Sequence, residues 1–142
     1  MNLTDSEEAY PFQRKVRILL ADDNPFILRE LKQVLGKEFE IVCTVTDGRA
    51  LLEQYDRLRP EVVVTDISMP LMDGFEAIEQ LRRQAEPKVV FLTVHEEQAF
   101  VEEARSLGAM GYVLKRCCPS VLIRAVHSAR EGRFFLCPEL HT

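Results

Sequence analysis

Short apolar runs alternate with helix-period patterns five times along this chain, and that alternation leaves few folds open to it. Val16–Ala21 (VRILLA) is the first run. Ile27, Leu28, Leu31, Val34 and Leu35 then recur at helical spacing up to Gly36. Glu38–Thr46 reads as a partly alternating strand with Ile41, Cys43 and Val45 on one face, and Leu51, Leu52, Tyr55 and Leu58 mark a second helix that Pro60 closes. Glu61–Asp66 (EVVVTD) is β-branched and almost continuously apolar, the pattern of a strand buried on both faces. A helix through Phe75, Ile78 and Leu81, the strand Lys88–Thr93 (KVVFLT), a helix through Phe100, Val101, Ala104 and Leu107, and the short strand Gly111–Leu114 follow. The last helix carries Val121, Leu122, Ala125, Val126 and Ala129, with Gly132 at its end.

Strict strand–helix alternation predicts an α/β fold, a parallel sheet with helices on both faces. The apolar first, third and fourth strands are expected at the centre, and the mixed second and short fifth at the edges. An order of 2-1-3-4-5 meets those conditions. Its crevice lies beyond the carboxyl ends of strands one and three, where the winding reverses.

The residues that leave those strands carry the chemistry. Strand one runs into Asp22 and Asp23, strand three ends on Asp66, strand four on Thr93, and strand five leads into Lys115. Taken singly, each has an ordinary explanation: an Asp at a strand end caps a helix or makes a turn, Thr93 suits a strand, and Lys115 suits a solvated surface. Together they bring three carboxylates into one crevice, which is tolerable with a cation among them. Oxygen-only ligands suit a hard ion such as Mg²⁺, and the compact charge of Lys115 suits a phosphate oxygen.

Bulk properties exclude several function classes. The 142 residues suit one domain, and a formal net charge of -5 with no basic run argues against contact with a nucleic-acid backbone by this segment. Cys43, Cys117, Cys118 and Cys137 include no C-x-x-C pair, and His95, His127 and His141 stand alone, so no zinc motif is presented. Adjacent Cys117 and Cys118 read as small apolar residues of a reduced protein. No apolar run is long enough to span a membrane and no signal-peptide core is present, so the expectation is a cytoplasmic location.

From Val16 to about Gly132 the chain resembles the receiver domains of two-component response regulators. The resemblance rests on Asp22-Asp23, the D-x-x-M-P-x-x-D-G string from Asp66 to Gly74, Thr93 at a strand end, and Gly108-Ala109 leading into Gly111-Tyr112-Val113-Leu114-Lys115. The ending, with Leu122, Ala125, Gly132 and Phe135 to Leu140, is similar to the NarL/LuxR-type subfamily. The resemblance implies a flavodoxin-like (βα)5 sandwich. It also implies that Asp66 accepts a phosphoryl group from a sensor histidine kinase, making the chain a phosphoryl carrier rather than an enzyme, with at most slow self-dephosphorylation. Asp23, Asp66 and the Ser68 backbone carbonyl would bind Mg²⁺ directly and Asp22 through water. Lys115 and Thr93 would engage phosphoryl oxygens, and Tyr112 would turn inward as the switch.

The expected layout is a leader over 1–15, a receiver over 16–133 and a linker beginning at 134–142. The linker would lead to a DNA-binding, transcription-regulating output domain beyond this chain, with homodimerisation on phosphorylation. His95 reads as a surface residue, although it and Ser68 could face the phosphoryl group. Asp73 reads as the cap of helix three, His127 as a surface residue, and Glu96, Glu97, Glu102 and Glu103 as a solvated face. Two positions depart from the broader pattern: Val94, which could restrict access to the site, and Arg116, in place of a common proline. The competing readings are a stand-alone receiver acting by docking, a dehalogenase-fold phosphatase, and a flavodoxin-like cofactor binder. Ser68 stands where such a phosphatase needs a second acid, and the acidic Asp22–Pro25 turn would repel a cofactor phosphate.

Overall fold

The computed structural model describes residues 14–140, so nearly all of the leader expected over 1–15 lies outside the described residues. Six strands form one parallel sheet: β1 (Arg17–Ala21), β2 (Glu40–Val45), β3 (Val62–Thr65), β4 (Val89–Thr93), β5 (Gly111–Leu114) and β6 (Phe135–Leu136). Their order is β2-β1-β3-β4-β5-β6, the expected winding with one strand added. Every residue of β3, β4 and β5 is buried, as continuous apolar runs between two helical layers require. β2 departs from strict alternation because its pairing with β1 slips by one residue between Ile18 and Leu19, leaving Val42 without a partner in the register.

Five helices cover the sheet: α1 (Pro25–Leu35), α2 (Gly48–Leu58), α3 (Gly74–Leu81), α4 (Gln98–Ser106) and α5 (Pro119–Arg130). α1 and α5 share one face, while α2, α3 and α4 share the other, where the Phe75 and Phe100 rings stack. Local chemistry sets the helix starts. Asn24 accepts from the amides of Phe26 and Ile27 at the head of α1, with Pro25 in the first turn. Asp47 accepts from the Ala50 amide on α2. Asp73 caps α3 in a reciprocal box with Glu76. Gly108 and Gly132 take positive φ beyond α4 and α5, as expected of glycines that end helices. α4 begins at Gln98, so Glu96 and Glu97 precede it instead of lying on its solvated face.

One correction concerns the sheet edge. β5 was expected to be an edge strand, yet Phe135 and Leu136 pair with Gly111 and Tyr112. The amides of Phe135 and Cys137 donate to the carbonyls of Met110 and Tyr112, and Cys137 is completely buried. Pro138–Leu140 continues as one 3₁₀ turn. The sheet therefore extends past residue 133, into the segment read as the start of a linker.

This pairing has a measurable consequence. A chain ending at Arg133 should lose about 2–4 kcal/mol of stability, since it leaves the β5 edge unpaired and removes the buried Cys137 side chain. Urea unfolding of the two lengths, followed by circular dichroism, checks this.

Candidate functional site

The carboxyl edge of the sheet gathers the strand-end residues with little freedom to move. The Asp22 amide donates to the Val45 carbonyl at 3.0 Å, the Asp66 amide to Ala21 at 2.9 Å, and the Lys115 amide to Thr93 at 2.9 Å. Each of these side chains thus springs from backbone tied to a neighbouring strand. Carboxylate oxygens of Asp22, Asp23 and Asp66 all lie within 4.8 Å of one another. Asp22 and Asp66 are buried and Asp23 is exposed, so the cluster opens to solvent on one side.

Lys115 balances part of this charge. Its Nζ lies 2.8 Å from Asp66 Oδ2, in hydrogen-bond geometry, and 2.7 Å from Asp22 Oδ2. The second contact is poorly aligned, and Asp22 Oδ2 is left buried with no hydrogen-bond partner. The other oxygens are engaged: Asp22 Oδ1 accepts from the Asn24 amide at 2.9 Å and Asp66 Oδ1 from the Ile67 amide at 2.7 Å. Burial raises the Asp22 carboxyl above its ordinary range, against the opposing pull of Lys115 and the Asn24 amide. For Lys115, burial alone would lower the ammonium, but its contacts with Asp22 and Asp66 together hold it above the usual range. A buried carboxylate oxygen without an aligned hydrogen bond, beside two other acids, is a donor set that fits a hard cation.

The loop after Asp66 folds back onto it. Met72 donates to Pro70 O at 2.7 Å, Gly74 to Ile67 O at 2.6 Å, and Leu71 takes a φ of 67°. A Cβ on Gly74 would stand 2.1 Å from the Asp66 carbonyl oxygen, so this position admits only glycine without a backbone shift. The sequence reading attached a role to Asp73 but missed this one for Gly74, which depends on a contact eight residues back.

Thr93 is completely buried, and its Oγ1 accepts from the His95 amide at 3.2 Å. Tyr112, the residue expected to turn inward, is also completely buried; its hydroxyl donates to the His95 carbonyl at 2.9 Å. Burial raises its phenol well above the ordinary value, with Glu97 and Asp66 adding to the effect. His95, expected at the surface, is only partly exposed. Its ring stacks on Phe100 at 4.3 Å between centroids and its Nε2 meets Ser68 Oγ at 3.0 Å. Val94 is turned outward and 67% exposed, lining a surface hollow with Glu96, Lys115 and Arg116. Arg116 pairs with Glu96 at 3.2 Å, and no peptide among the described residues is cis. His127 packs on Phe39 and pairs with Glu38, as a helix-surface residue.

The pattern of the response regulator receiver domain matches residues 18–127 of this chain. The chain belongs to the response regulator receiver family. Similarity extends to the transcriptional regulatory protein DegU of Brevibacillus brevis, 31% identical over 131 residues, covering 90% of this chain and 56% of DegU. The chemotaxis protein CheY of Thermotoga maritima is 33% identical over 117 residues, covering 81% of this chain and 98% of CheY. A crystal structure of a LuxR-family two-component response regulator from Aurantimonas sp. SI85-9A1 superposes with a TM-score of 0.85 at 27% identity, covering 89% of this chain and 92% of that one. The subfamily expected from the sequence ending agrees with that neighbour. This chain spans a little over half the length of DegU. Receiver domains are phosphoryl-accepting switches of two-component systems, and this chain is a phosphorylation-dependent signal receiver of that kind. No helix of the described residues is long and apolar enough to cross a membrane.

The electrostatics of the receiver site imply a stability cost. Because the folded Asp22 pKa is raised, the protonated acid favours the fold below the ordinary carboxylate range, and that contribution is lost as pH rises through the raised value. Near neutral pH, without a divalent cation, Asp22→Asn should therefore raise the urea midpoint. The advantage should shrink as the buffer is taken into the carboxylate range. Parallel denaturation curves across that pH series check both signs.

Proposed function

We propose that Asp66 is the phosphoryl acceptor of this receiver. The observation that carries the reading is the meeting of Asp66 with Asp22, Asp23 and Lys115 at the ends of three separate strands. An Asp66 carboxylate oxygen attacks the phosphorus of a phosphohistidine on a sensor histidine kinase. The P–N bond breaks, its electron pair remains on the imidazole, and Asp66 becomes an aspartyl phosphate. Positioning and charge neutralisation are the domain's contributions to such a transfer.

Mg²⁺ is the proposed cofactor, held by Asp23, Asp66 and the Ser68 backbone carbonyl, with Asp22 acting through water; when bound it would offset the negative charge of acids and phosphoryl oxygens. Lys115 exchanges part of its contact with Asp66 for a phosphoryl oxygen. Thr93 turns its hydroxyl toward another. That movement is felt at His95, whose amide is held by Thr93 and whose carbonyl is held by Tyr112. The packing of Tyr112 then carries the change to the surface around α4 and β5.

By this reading the whole protein is cytoplasmic and regulates transcription through a DNA-binding domain outside this segment, with homodimerisation on phosphorylation. Similarity to DegU supports that output. A second reading, a stand-alone receiver that acts by docking, is favoured by the match to nearly all of CheY. The phosphatase reading has less support, because Ser68, at the position its second acid would take, is engaged with His95.

The acceptor assignment is tested with Mg²⁺ and a small acyl-phosphate donor, read by intact mass. Wild type should gain one phosphoryl group and Asp66→Asn should gain none. Equal labelling of the variant, or no adduct on wild type where a control receiver is labelled, overturns it.

A further inference from the structure

A second group of potential ligands lies away from the acidic site, where β6 and the 3₁₀ turn meet the loop that follows Lys115. Cys117, Cys137 and Glu139 each place a ligand atom within 4.8 Å of the other two. Cys137 is completely buried, Cys117 partly buried and Glu139 exposed, so the group has a closed side and an open one. Cys117 Sγ donates to Glu139 Oε1 at 3.1 Å. Cys118 is turned elsewhere, with its Sγ at 3.2 Å from Ser120 Oγ. The absence of C-x-x-C spacing hid this cluster, since its two cysteines are brought together only when β6 docks beside β5.

Two chemistries could use such a pair of thiols: oxidation to a disulfide or ligation of a thiophilic cation. The surroundings distinguish them. Glu139 has no part in a disulfide, yet it is an oxygen ligand of the right charge for a metal. A cation also offsets the negative charge that disfavours ionisation here, and the two protons leave as the thiolates form.

We propose that Cys117, Cys137 and Glu139 form a binding site for a thiophilic divalent cation of the Zn²⁺ type, with water completing the shell. Zn–S bonds of about 2.3 Å and Zn–O bonds of about 2.0–2.2 Å are compatible with three ligand atoms this close together. Bound metal ties the C-terminal segment to the turn that carries Lys115 and Arg116. The site thereby links the end of the sheet to the loop beside the receiver's acidic crevice, and it does not rest on the acceptor role of Asp66.

Co²⁺ titration of the reduced full chain tests the assignment, because thiolate ligation produces an intense near-ultraviolet charge-transfer band that carboxylate ligation at the acidic cluster does not. The expected result is a band saturating at one equivalent and displaced by Zn²⁺. It should be lost in Cys117→Ser, shifted to higher Co²⁺ concentration in Glu139→Gln, and unchanged in Cys43→Ser and Cys118→Ser. Cys117 and Glu139 are not fully buried, so these variants test the site without altering the buried Cys137; circular dichroism verifies that each is folded. No band in wild type, a band undiminished by Cys117→Ser, or an unshifted Glu139→Gln titration overturns the ligand set. A chain that instead loses two hydrogens by mass under mild oxidation, with Cys117 and Cys137 joined and no Co²⁺ band when reduced, overturns it in favour of a disulfide.

Discussion

The charge balance between Lys115 and the acids around it is the constraint on which the rest of this molecule depends. Two buried carboxylates share one ammonium beside an exposed third, so the site carries unneutralised negative charge inside a wall of apolar strands. Such an arrangement opposes folding unless it is compensated elsewhere. The Oδ2 of Asp22, buried beside Lys115 without an aligned hydrogen bond, shows the imbalance at the level of a single atom. A divalent cation at the acid cluster, as proposed for this receiver, would supply the missing positive charge. Readiness for a cation would therefore be carried in the folded state as an electrostatic cost.

That cost is tolerable because the backbone does not rely on the side chains for its position. Asp22, Asp66 and Lys115 are each tied by their amides to the preceding or neighbouring strand. The strands themselves are anchored by Ile18, Leu19, Val62, Val63, Val90 and Phe91, all fully buried. Repulsion among the carboxylates cannot spread the sheet without unpacking those residues. On the far side of Asp66, the close approach of Gly74 closes the loop and fixes where α3 begins. The same contact sets the direction in which the Asp66 segment leaves the strand.

Much of this was legible in the sequence because the signals were local. Apolar runs marked the strands, Asp73 marked a helix start, and the residues leaving the strands marked the candidate site. What escaped was set by tertiary contact. Phe135 and Leu136 are too few to show a period of two, and they become a strand only because β5 offers a free edge. The proximity of Cys117 to Cys137 follows from that same docking. The stacking of His95 on Phe100 and its contact with Ser68 join three elements, and no spacing rule predicts them. The slip in β2 likewise reflects the fit of its neighbour, not its own composition.

His95 also bears on how a local chemical event could reach the surface. Its amide and carbonyl are held by Thr93 and Tyr112, two fully buried residues on adjacent strands. A displacement of the Thr93 hydroxyl cannot leave the His95 peptide groups unaffected, because one residue holds both bonds. Nor can Tyr112 leave its buried position without giving up a hydrogen bond and opening a void of aromatic size. The ring therefore resists gradual displacement from the buried position it holds. The side chain of His95 adds a further restraint, since its ring is pinned between Phe100 and Ser68 while its backbone joins the two strands. Thr93 is in this way coupled through His95 to α4, whose Phe100 lies against that ring.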